Sequence, residues 1–446
     1  MADLKGLTAA LVSLGCDKNT VDSELMLGAL NGAGCGFTGD MSRAQIIIIN
    51  TCGFLQDAVD EAKEAIEAAI AHKRAGTCCA LVVTGCAAQR YKENFFNDNS
   101  DIDAVLGVQE YGRILEVLTQ ALGGMRYVDF DNTNSMEDVN RLARVRSTPR
   151  HYAYLKIAEG CDKHCTYCTI PQIRGPYKSR EMQSLIDEAR LLAGDGVREL
   201  ILIAQDTTLY GADVHGKPIL HELLHELAKI DNIRWIRLMY CYPENIYDDL
   251  IAEIARNNKV LRYIDMPIQH ASDNILRLMG RGTTQGALME IIANLRQKLP
   301  GVTLRTTLIA GFPGETKADF KTLCDFITDI KFDRLGVFAY SREEGTAADK
   351  LPDHLPQKTK DARKDRLMRM QQEISADKLA QKIGEALEVC VEGFDSEAEM
   401  FFGRGAADAP EVDGLVYIDS PSLKAGDFVQ VRITNATEYD LLGVLL

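Results

Sequence analysis

The feature that most constrains this chain is a cluster of three thiols. The stretch AEGCDKHCTYCTIP, residues 158–171, places Cys161, Cys165 and Cys168 in the pattern C-x3-C-x2-C. A structural zinc site usually takes four ligands from two separated pairs, and no second Cys-x2-Cys pair follows in the sequence, although His164 lies inside the triplet. Three thiolates on a [4Fe–4S] cluster would instead leave one iron open to a further ligand. The spacing therefore favours an iron–sulfur cluster over zinc.

Three other cysteines recur at equivalent places in the first part of the chain. Cys16, Cys52 and Cys86 each follow a predicted buried strand, in the stretches TAALVSLGC, AQIIIINTCGF and CALVVTGCAAQ. Because the carboxyl ends of parallel strands meet at one edge of a sheet, these thiols can converge there. Three separate core cysteines, each acting as a small hydrophobe, are the alternative. We expect convergence and a second cluster site.

The remaining six cysteines lack such placement, and we interpret them as structural, with Cys79 pointing into the sheet. They are Cys35, Cys78, Cys79, Cys241, Cys324 and Cys390.

Composition limits the class of protein. The chain has 446 residues, too many for one hydrophobic core, and its net charge of −15 argues against a broad nucleic-acid-binding surface. No apolar run approaches the ~20 residues that span a bilayer. The opening MADLKGLTAALVSLGC fits a buried first strand better than a signal peptide. In the reducing compartment that these features predict, structural disulfides are not expected, so those of the twelve cysteines that cluster more often bind metal or catalyse. We therefore expect a cytoplasmic protein without a membrane partner.

The pattern of apolar residues predicts an α/β chain of three domains. Residues 5–125 alternate short apolar runs with helical patterns, which predicts an open parallel α/β sheet. Residues 147–376 hold six strand candidates separated by helices, which predicts a complete or partial β/α barrel. A polar and charged linker, residues 129–150, lies between these two domains. Residues 377–446 turn to strand patterns with glycine turns, which predicts a small β-barrel or sandwich.

Polar residues and glycines after the barrel strands are candidates for ligand contacts, because barrel sites lie at the strand carboxyl ends. Gln205 and Asp206 follow the second strand, and Gln269 and His270 follow the fourth. Gly311 follows the fifth, where glycine permits close backbone approach. Ordinary loops with turn residues are the alternative at each place. We expect His270 to be structural, and no acid–base pair is nominated as catalytic.

The pattern C-x3-C-x-aromatic-C after the first barrel strand resembles the signature of the radical S-adenosylmethionine (SAM) superfamily, with Tyr167 as the aromatic residue. The resemblance implies that the open iron binds the amino and carboxylate groups of SAM. One electron from the cluster would then cleave the sulfonium and give a 5′-deoxyadenosyl radical. On this basis, we expect Tyr167, Gln205, Asp206, Gln269 and Gly311 to contact that cofactor.

Two three-cysteine sites followed by a small β domain resemble the radical SAM methylthiotransferases over essentially the full chain. The resemblance implies an amino-terminal methylthiotransferase domain, a radical SAM core and a terminal TRAM domain. It also implies two [4Fe–4S] clusters, of which the amino-terminal one would carry the sulfur to be inserted. Within this family SLGCDKNTVDSE resembles the RimO type, which modifies an aspartate of small-subunit ribosomal protein twelve. The tRNA-modifying relatives read closer to GCQMN, where Asp17 and Lys18 stand here.

The charge of the last domain points to the same substrate. Residues 377–446 carry 14 Asp and Glu against 5 Lys and Arg, a net charge of −9. Such a domain should repel RNA phosphates and attract a basic ribosomal protein, although a merely solvated acidic surface is the alternative. We expect Asp408, Glu411, Asp413 and Asp419 to be exposed members of this surface.

The sequence thus predicts an enzyme that inserts a methylthio group at the β-carbon of an aspartate of small-subunit ribosomal protein twelve, free or in the subunit. The expected partners are that protein, a reductant such as flavodoxin or ferredoxin, and a sulfur donor, but not tRNA. Two alternatives stay open: a tRNA-adenosine methylthiotransferase of the same architecture, and a non-catalytic electron carrier with two clusters.

Overall fold

A computed structural model describes residues 4–92, 94, 99–130 and 143–446 of the chain. The predicted linker at 129–150 therefore lies partly outside the described residues. The described part forms two parallel sheets and a closed barrel, in chain order, and this confirms the predicted α/β class. Within these ranges, no helix combines the length and apolar character needed to cross a membrane.

The first sheet is parallel throughout, in the order β2-β1-β3-β4-β5-β6. Every residue of β3 and β4 is buried, as expected for central strands that helices cover on both faces. Its strands are β1 (Thr8–Ser13), β2 (Gly36–Phe37), β3 (Ile46–Thr51), β4 (Ala80–Gly85), β5 (Ala104–Leu106) and β6 (Tyr127–Asp129). Its helices are α1 (Asp17–Gly32), α2 (Gln56–Arg74), α3 (Cys86–Tyr91) and α4 (Ile114–Leu122).

The prediction for Cys79 is wrong. This residue is exposed, whereas its neighbour Cys78 is buried. Cys79 precedes β4, which begins at Ala80, so it lies before the part of the strand that both helical layers cover.

The second sheet is the predicted partial barrel, with six parallel strands in the order β14-β13-β12-β11-β10-β7. Its strands are β7 (Tyr152–Lys156), β10 (Glu199–Ile203), β11 (Trp235–Leu238), β12 (Val260–Asp265), β13 (Thr303–Ala310) and β14 (Arg334–Ala339). A short antiparallel pair, β8 (Ala158–Glu159) and β9 (Lys178–Ser179), flanks the first of them. The helices of this part are α5 (Ile170–Arg174), α6 (Met182–Gly194), α7 (Ala212–His215), α8 (Leu220–Ala228), α9 (Asp248–Arg256), α10 (Asp273–Leu278), α11 (Gln285–Lys298), α12 (Lys317–Ile330) and α13 (Gln357–Ala380).

Alternate residues of the barrel strands enter two different hydrophobic clusters. Leu155 and Leu202 pack outward with the surrounding helices. Tyr154 and Ile203 face inward, and their cluster continues into the amino-terminal sheet and its helix α1, for example at Leu25. The period of two along each strand thus produces one face for the helices and one for the amino-terminal domain.

The last part of the chain closes into a five-stranded barrel in the order β15-β16-β17-β19-β18. Helix α13 leads into it and crosses the predicted limit between residues 376 and 377, and the three domain limits remain a prediction. The strands are β15 (Ala386–Asp395), β16 (Met400–Gly405), β17 (Val416–Asp419), β18 (Phe428–Ala436) and β19 (Leu441–Leu445).

Of the four carboxylates expected to be exposed in or beside the loop before β17, two are buried. Asp408 is buried in an ion pair with Arg334. The side chain of Asp413 is also buried, 3.4 Å from Arg305 and within 2.6 Å of the hydroxyl of Tyr263. Both carboxylates meet groups on strands of the six-stranded barrel, and partners so distant in the chain leave no local pattern from which to predict them. The other two carboxylates are exposed, as expected.

Arg404 is the centre of this contact between the two barrels. Its guanidinium is fully buried and donates to Glu199 and to Glu392, each at 2.7 Å, and to the carbonyl of Asp408 at 2.8 Å. Arg237 donates to the same Glu199 carboxylate at 2.7 Å. Buried charges are tolerated only when they are paired in this way, so the network fixes how the terminal barrel sits on the core.

Replacing Arg404 with Met should therefore destabilise the protein by about 3–5 kcal/mol, because Glu199 loses one of its buried partners. Thermal unfolding of the variant and the parent measures the loss. Arg432→Met is the matched control, since Arg432 is exposed on the same barrel, and it should change stability by less than about 0.5 kcal/mol. Equal unfolding midpoints for both variants would contradict this view of the interface.

Candidate active site

Cys161, Cys165 and Cys168, called the core thiols below, lie on a loop that follows β8, at the carboxyl ends of the barrel strands. The amide of Cys161 donates to the carbonyl of Gly175 at 3.0 Å. Thr166 fastens the middle of the loop, because its amide donates to the carbonyl of Met279 at 2.9 Å and its hydroxyl to that of Leu278 at 2.8 Å. The loop is thus attached both to the residue that follows α5 and to the segment after β12.

The thiols of this loop are shielded from water. Cys161 and Cys165 are buried, and Cys168 is half-buried. Burial raises the pKa of the Cys161 thiol and raises that of Cys168 to about 12. Two backbone amides act in the opposite direction, since those of Lys163 and Ile170 each lie 3.4 Å from a sulfur, of Cys161 and Cys168 respectively. Such N–H groups support thiolate ligands and tune the potential of an iron–sulfur cluster.

The other three thiols meet at one edge of the amino-terminal sheet. Cys16 directly precedes α1, Cys52 follows β3, and Cys86 opens α3 after β4. Gly15 has a φ of +93°, and a β-carbon there would lie only 2.8 Å from the β-carbon of Cys52. Only glycine permits so close an approach of these two loops. The structure therefore brings Cys16, Cys52 and Cys86 together, and their role as iron ligands remains a prediction.

Asn19 holds the three loops in place. Its amide nitrogen donates to the carbonyl of Leu14 at 2.8 Å and to that of Thr51 at 3.0 Å, which are the backbones leading to the first two cysteines. Its amide oxygen lies 3.7 Å from the sulfur of Cys86. Asn19 is fully buried, so one side chain contacts all three thiol-bearing segments. Sequence reasoning missed it, although it lies three residues after Cys16.

Both donor sets fit a [4Fe–4S] cluster with one iron open. In each set the three thiols lie beyond the carboxyl ends of strands and are partly shielded from water. Among the described residues, no three His, Cys, Asp or Glu side chains are placed to hold a single metal ion. A cluster instead offers a different iron to each thiolate. When bound, such a cluster supplies electrons, and its open iron supplies a site for one more ligand.

A buried group of four charges connects the two thiol sites. Arg174, at the end of α5, donates to Glu159 at 2.9 and 3.0 Å and to Asp22 at 3.2 Å. Lys156 donates to Glu159 at 2.8 Å and is also paired with Asp22. Burial alone would raise the pKa of Glu159, but Arg174 and Lys156 outweigh it and lower that pKa below its usual range. Glu159 lies two residues before Cys161, and Asp22 lies on α1.

A second contact joins the amino-terminal domain to the opposite side of the barrel. Glu343, which follows β14, accepts from Arg90 at 2.9 Å and from the amide of Gln56 at 3.1 Å. Arg90 also donates to the carbonyl of Gly53, next to Cys52, at 3.0 Å. The amino-terminal domain is therefore attached at both edges of the open barrel, near its mouth.

The two predicted cofactor contacts after the second barrel strand differ in whether a polar atom of the side chain remains available to a ligand. Gln205 donates to Glu159 at 2.9 Å, and its amide oxygen is buried with no hydrogen-bond partner among the described residues. Asp206 is fully buried and accepts from the Thr208 amide at 3.0 Å and from Asn245 at 2.7 Å. Gln205 thus retains an acceptor for a ligand, whereas Asp206 is engaged in shaping its own loop.

The predicted cofactor contacts after the fourth and fifth barrel strands lie where the backbone has a positive φ. Gln269 has a φ of +70°, and its amide donates to the carbonyl of Thr307 at 2.9 Å. A β-carbon at Gly311 would lie 2.6 Å from the side chain of Lys360, so the chain itself fills the space that the glycine leaves. His270 is buried and its Nδ1 accepts from the amide of Ser272 at 2.9 Å. The structure leaves the cofactor role of Gln269 and Gly311 as a prediction.

Aromatic residues surround the core thiols. Tyr167 is half-buried and packs edge-on against Phe312, with 6.5 Å between ring centroids. The hydroxyl of Tyr242 lies 3.8 Å from the sulfur of Cys165, and the buried guanidinium of Arg281 stacks over the Tyr242 ring at 4.3 Å. Sequence reasoning named neither Tyr242 nor Arg281, because neither belongs to a recognisable spacing.

Comparisons with known proteins agree with this architecture. Residues 155–327 match the radical SAM superfamily, residues 8–107 match the uncharacterized protein family UPF0004, and residues 383–446 match the TRAM domain. The radical SAM methyltransferase TsrM from Kitasatospora setae, solved with cobalamin and a [4Fe-4S] cluster bound, has a similar fold, with a TM-score of 0.58. It covers 76% of this chain and 73% of its own, at 14% sequence identity.

Curated relatives match over nearly the whole chain. The ribosomal protein uS12 methylthiotransferase RimO of Lachnoclostridium phytofermentans is 48% identical over 97% of this chain and 98% of its own. The RimO of Clostridioides difficile is 48% identical over 99% of both chains, and that of Acetivibrio thermocellus is 46% identical over 98% of both. The chain therefore belongs to the RimO family of ribosomal protein uS12 methylthiotransferases, within the radical SAM superfamily.

Proposed function

We propose that this chain inserts a methylthio group at the β-carbon of an aspartate of ribosomal protein uS12. One observation carries the proposal: two separate three-thiol sites converge at the mouth of a β/α barrel and are joined by buried contacts. The RimO relatives act on uS12, and the family uses SAM and [4Fe–4S] clusters. Cys161, Cys165 and Cys168 would hold the cluster that binds SAM, and Cys16, Cys52 and Cys86 the second.

The residues of the chain prepare this chemistry by enclosure and orientation. Gln205 is hydrogen-bonded to Glu159, just before the core thiol loop, and its amide oxygen has no partner within the described part of the chain. Tyr167 and Tyr242 shield that loop from water, which protects a reactive carbon radical from side reactions. The amino-terminal domain covers the open side of the barrel, so substrate must enter at the mouth between the two sites.

The alternatives are less well supported. The relatives described above are named for uS12, which does not favour a tRNA substrate. Asp17 and Lys18, at the place where the tRNA-modifying enzymes differ, face the barrel: Asp17 accepts from the Tyr240 hydroxyl at 3.3 Å, and Lys18 lies over the Tyr240 ring. An electron carrier would not need a barrel whose open side is covered by a second domain.

The same proposal includes the partners that the chemistry requires. A one-electron reductant such as flavodoxin or ferredoxin and a sulfur donor would supply what SAM does not. The reaction would take place in the cytoplasm, where thiols stay reduced and uS12 is made. No tRNA is included as a substrate.

The clusters themselves are tested by iron content and products. The anaerobically reconstituted parent should hold about eight irons, and either triple Cys→Ala change, at 16/52/86 or at 161/165/168, should leave about four. The core variant should make no 5′-deoxyadenosine, and the amino-terminal variant should retain some cleavage of SAM but make no methylthiolated uS12 by mass spectrometry. Zinc in place of iron, or full product from the amino-terminal variant, would contradict the assignment.

Asn19 offers a test of convergence that leaves every thiol in place. Asn19→Ala removes the amide that joins three loops. It leaves the buried carbonyl of Thr51, the partly buried carbonyl of Leu14 and Arg174 each short of a partner, and an unsatisfied buried group costs about 1–3 kcal/mol. We expect iron to fall from about eight to about four per chain. Asn31→Ala, at an exposed position of the same helix, is the control and should keep all the iron. Full iron in Asn19→Ala would show that the loops converge without it.

The substrate is tested by charge on the terminal barrel, at carboxylates that are exposed. Reversing Glu397, Glu399, Asp419 and Glu438 to Lys changes the net charge of residues 377–446 from −9 to −1, because each of four substitutions moves it by two. Association with basic uS12 should slow, and the slowing should shrink as salt screens the charges. Binding is measured across a salt series with uS12 and with tRNA. Tighter tRNA binding with unchanged uS12 binding would overturn the substrate assignment.

A further inference from the structure

Arg174 belongs to the core by sequence but reaches into the amino-terminal thiol site. It ends α5, six residues after Cys168, and its side chain is fully buried. One terminal nitrogen of the guanidinium donates to the amide oxygen of Asn19 at 2.6 Å and lies 3.4 Å from the sulfur of Cys86. A single side chain thus runs from the segment of one predicted cluster to a ligand of the other.

The other terminal nitrogen fixes the orientation of this side chain. It donates to both oxygens of Glu159, at 2.9 and 3.0 Å, and to Asp22 at 3.2 Å. Glu159 lies just before the core thiol loop, and Asp22 is on α1 of the amino-terminal domain. The planar fork of an arginine can satisfy all these partners at once, which the single ammonium of a lysine cannot do.

The charges around Arg174 are balanced before any thiolate is counted. Lys156 and Arg174 supply two positive charges, and Asp22 and Glu159 supply two negative charges. A thiolate at Cys86 adds a negative charge in a buried place, and reducing a cluster there adds another. Arg174 is a cation in direct contact with that sulfur. Hydrogen bonds and positive charge at a ligand sulfur stabilise the reduced form of a cluster.

We propose that Arg174 is a positioning residue that holds the Cys86 sulfur from the core side and raises the reduction potential of the amino-terminal cluster. Through Glu159 it also keeps that cluster in register with the SAM-binding site. The inference rests on the proposed function, because it requires a cluster on Cys16, Cys52 and Cys86. It adds a redox role for one arginine that the core supplies to the neighbouring domain.

The test compares reduction potentials in two full-length backgrounds, each with one cluster. The first carries Ala at 161, 165 and 168 and retains the amino-terminal cluster. The second carries Ala at 16, 52 and 86 and retains the core cluster. Arg174→Gln, which removes the charge, is introduced into each, and the midpoint potential is measured by dithionite titration followed by electron paramagnetic resonance.

In the first background, Arg174→Gln should make one-electron reduction at least tenfold less favourable, a fall in potential of about 59 mV or more. In the second background the potential should stay as in the parent. Arg144→Gln is the matched control, because Arg144 is also buried between the domains, with Glu24 at 2.6 Å and Glu188 at 2.8 Å, but does not contact a cysteine. It should leave both potentials unchanged.

An unchanged potential of the amino-terminal cluster in Arg174→Gln, or an equal shift in both backgrounds, would overturn the inference. If Arg174→Gln does not fold, Arg174→Lys decides: its ammonium keeps the charge with Glu159 but should lose the sulfur contact, so the potential should still fall. An unchanged potential in Arg174→Lys then overturns the inference. Absence of iron from the first background before Arg174 is changed would instead overturn the proposed second cluster, which separates the two failures.

Discussion

The whole site depends on four buried charges at the contact between the amino-terminal domain and the barrel. Arg174 and Lys156 come from the core, Asp22 comes from α1, and Glu159 begins the core thiol loop. Charges removed from water are costly unless their partners are in place, so any shift between the domains would leave at least one of them unpaired. The network therefore allows only one position of the amino-terminal domain on the barrel, and both thiol-bearing segments lie beside it.

That fixed position of the two domains suits a chain that combines radical formation with the insertion of sulfur. In the proposed chemistry, a radical formed at the core site would take hydrogen from the substrate carbon, and that carbon would then have to reach the sulfur to be added before it reacts elsewhere. The structure connects the two thiol-bearing segments through one side chain, Arg174, which contacts Glu159 and the Cys86 sulfur, and it covers the open edge of the barrel through Arg90 and Glu343.

Much of this could be predicted from the sequence, because local patterns determine it. Apolar residues alternate along the barrel strands, and cysteines follow directly after buried strands. These two patterns are enough to predict the sheets and the sheet edge at which the amino-terminal cysteines lie. Partners distant in sequence were not predictable: Asp408 and Asp413 read as exposed loop carboxylates but meet Arg334 and Arg305. Arg174 likewise gave no signal beyond a charge after the thiol motif, since its partners lie on another domain.

The two clusters should lie close together, and electron paramagnetic resonance of the fully reduced protein measures whether they do. Spectra are recorded for the parent and for the two triple Cys→Ala proteins, each of which retains one cluster. If the sites lie on either side of Arg174, the two spins interact, and the parent spectrum should be broadened or split relative to the sum of the two single-cluster spectra. A parent spectrum equal to that sum would place the clusters far apart and contradict the account.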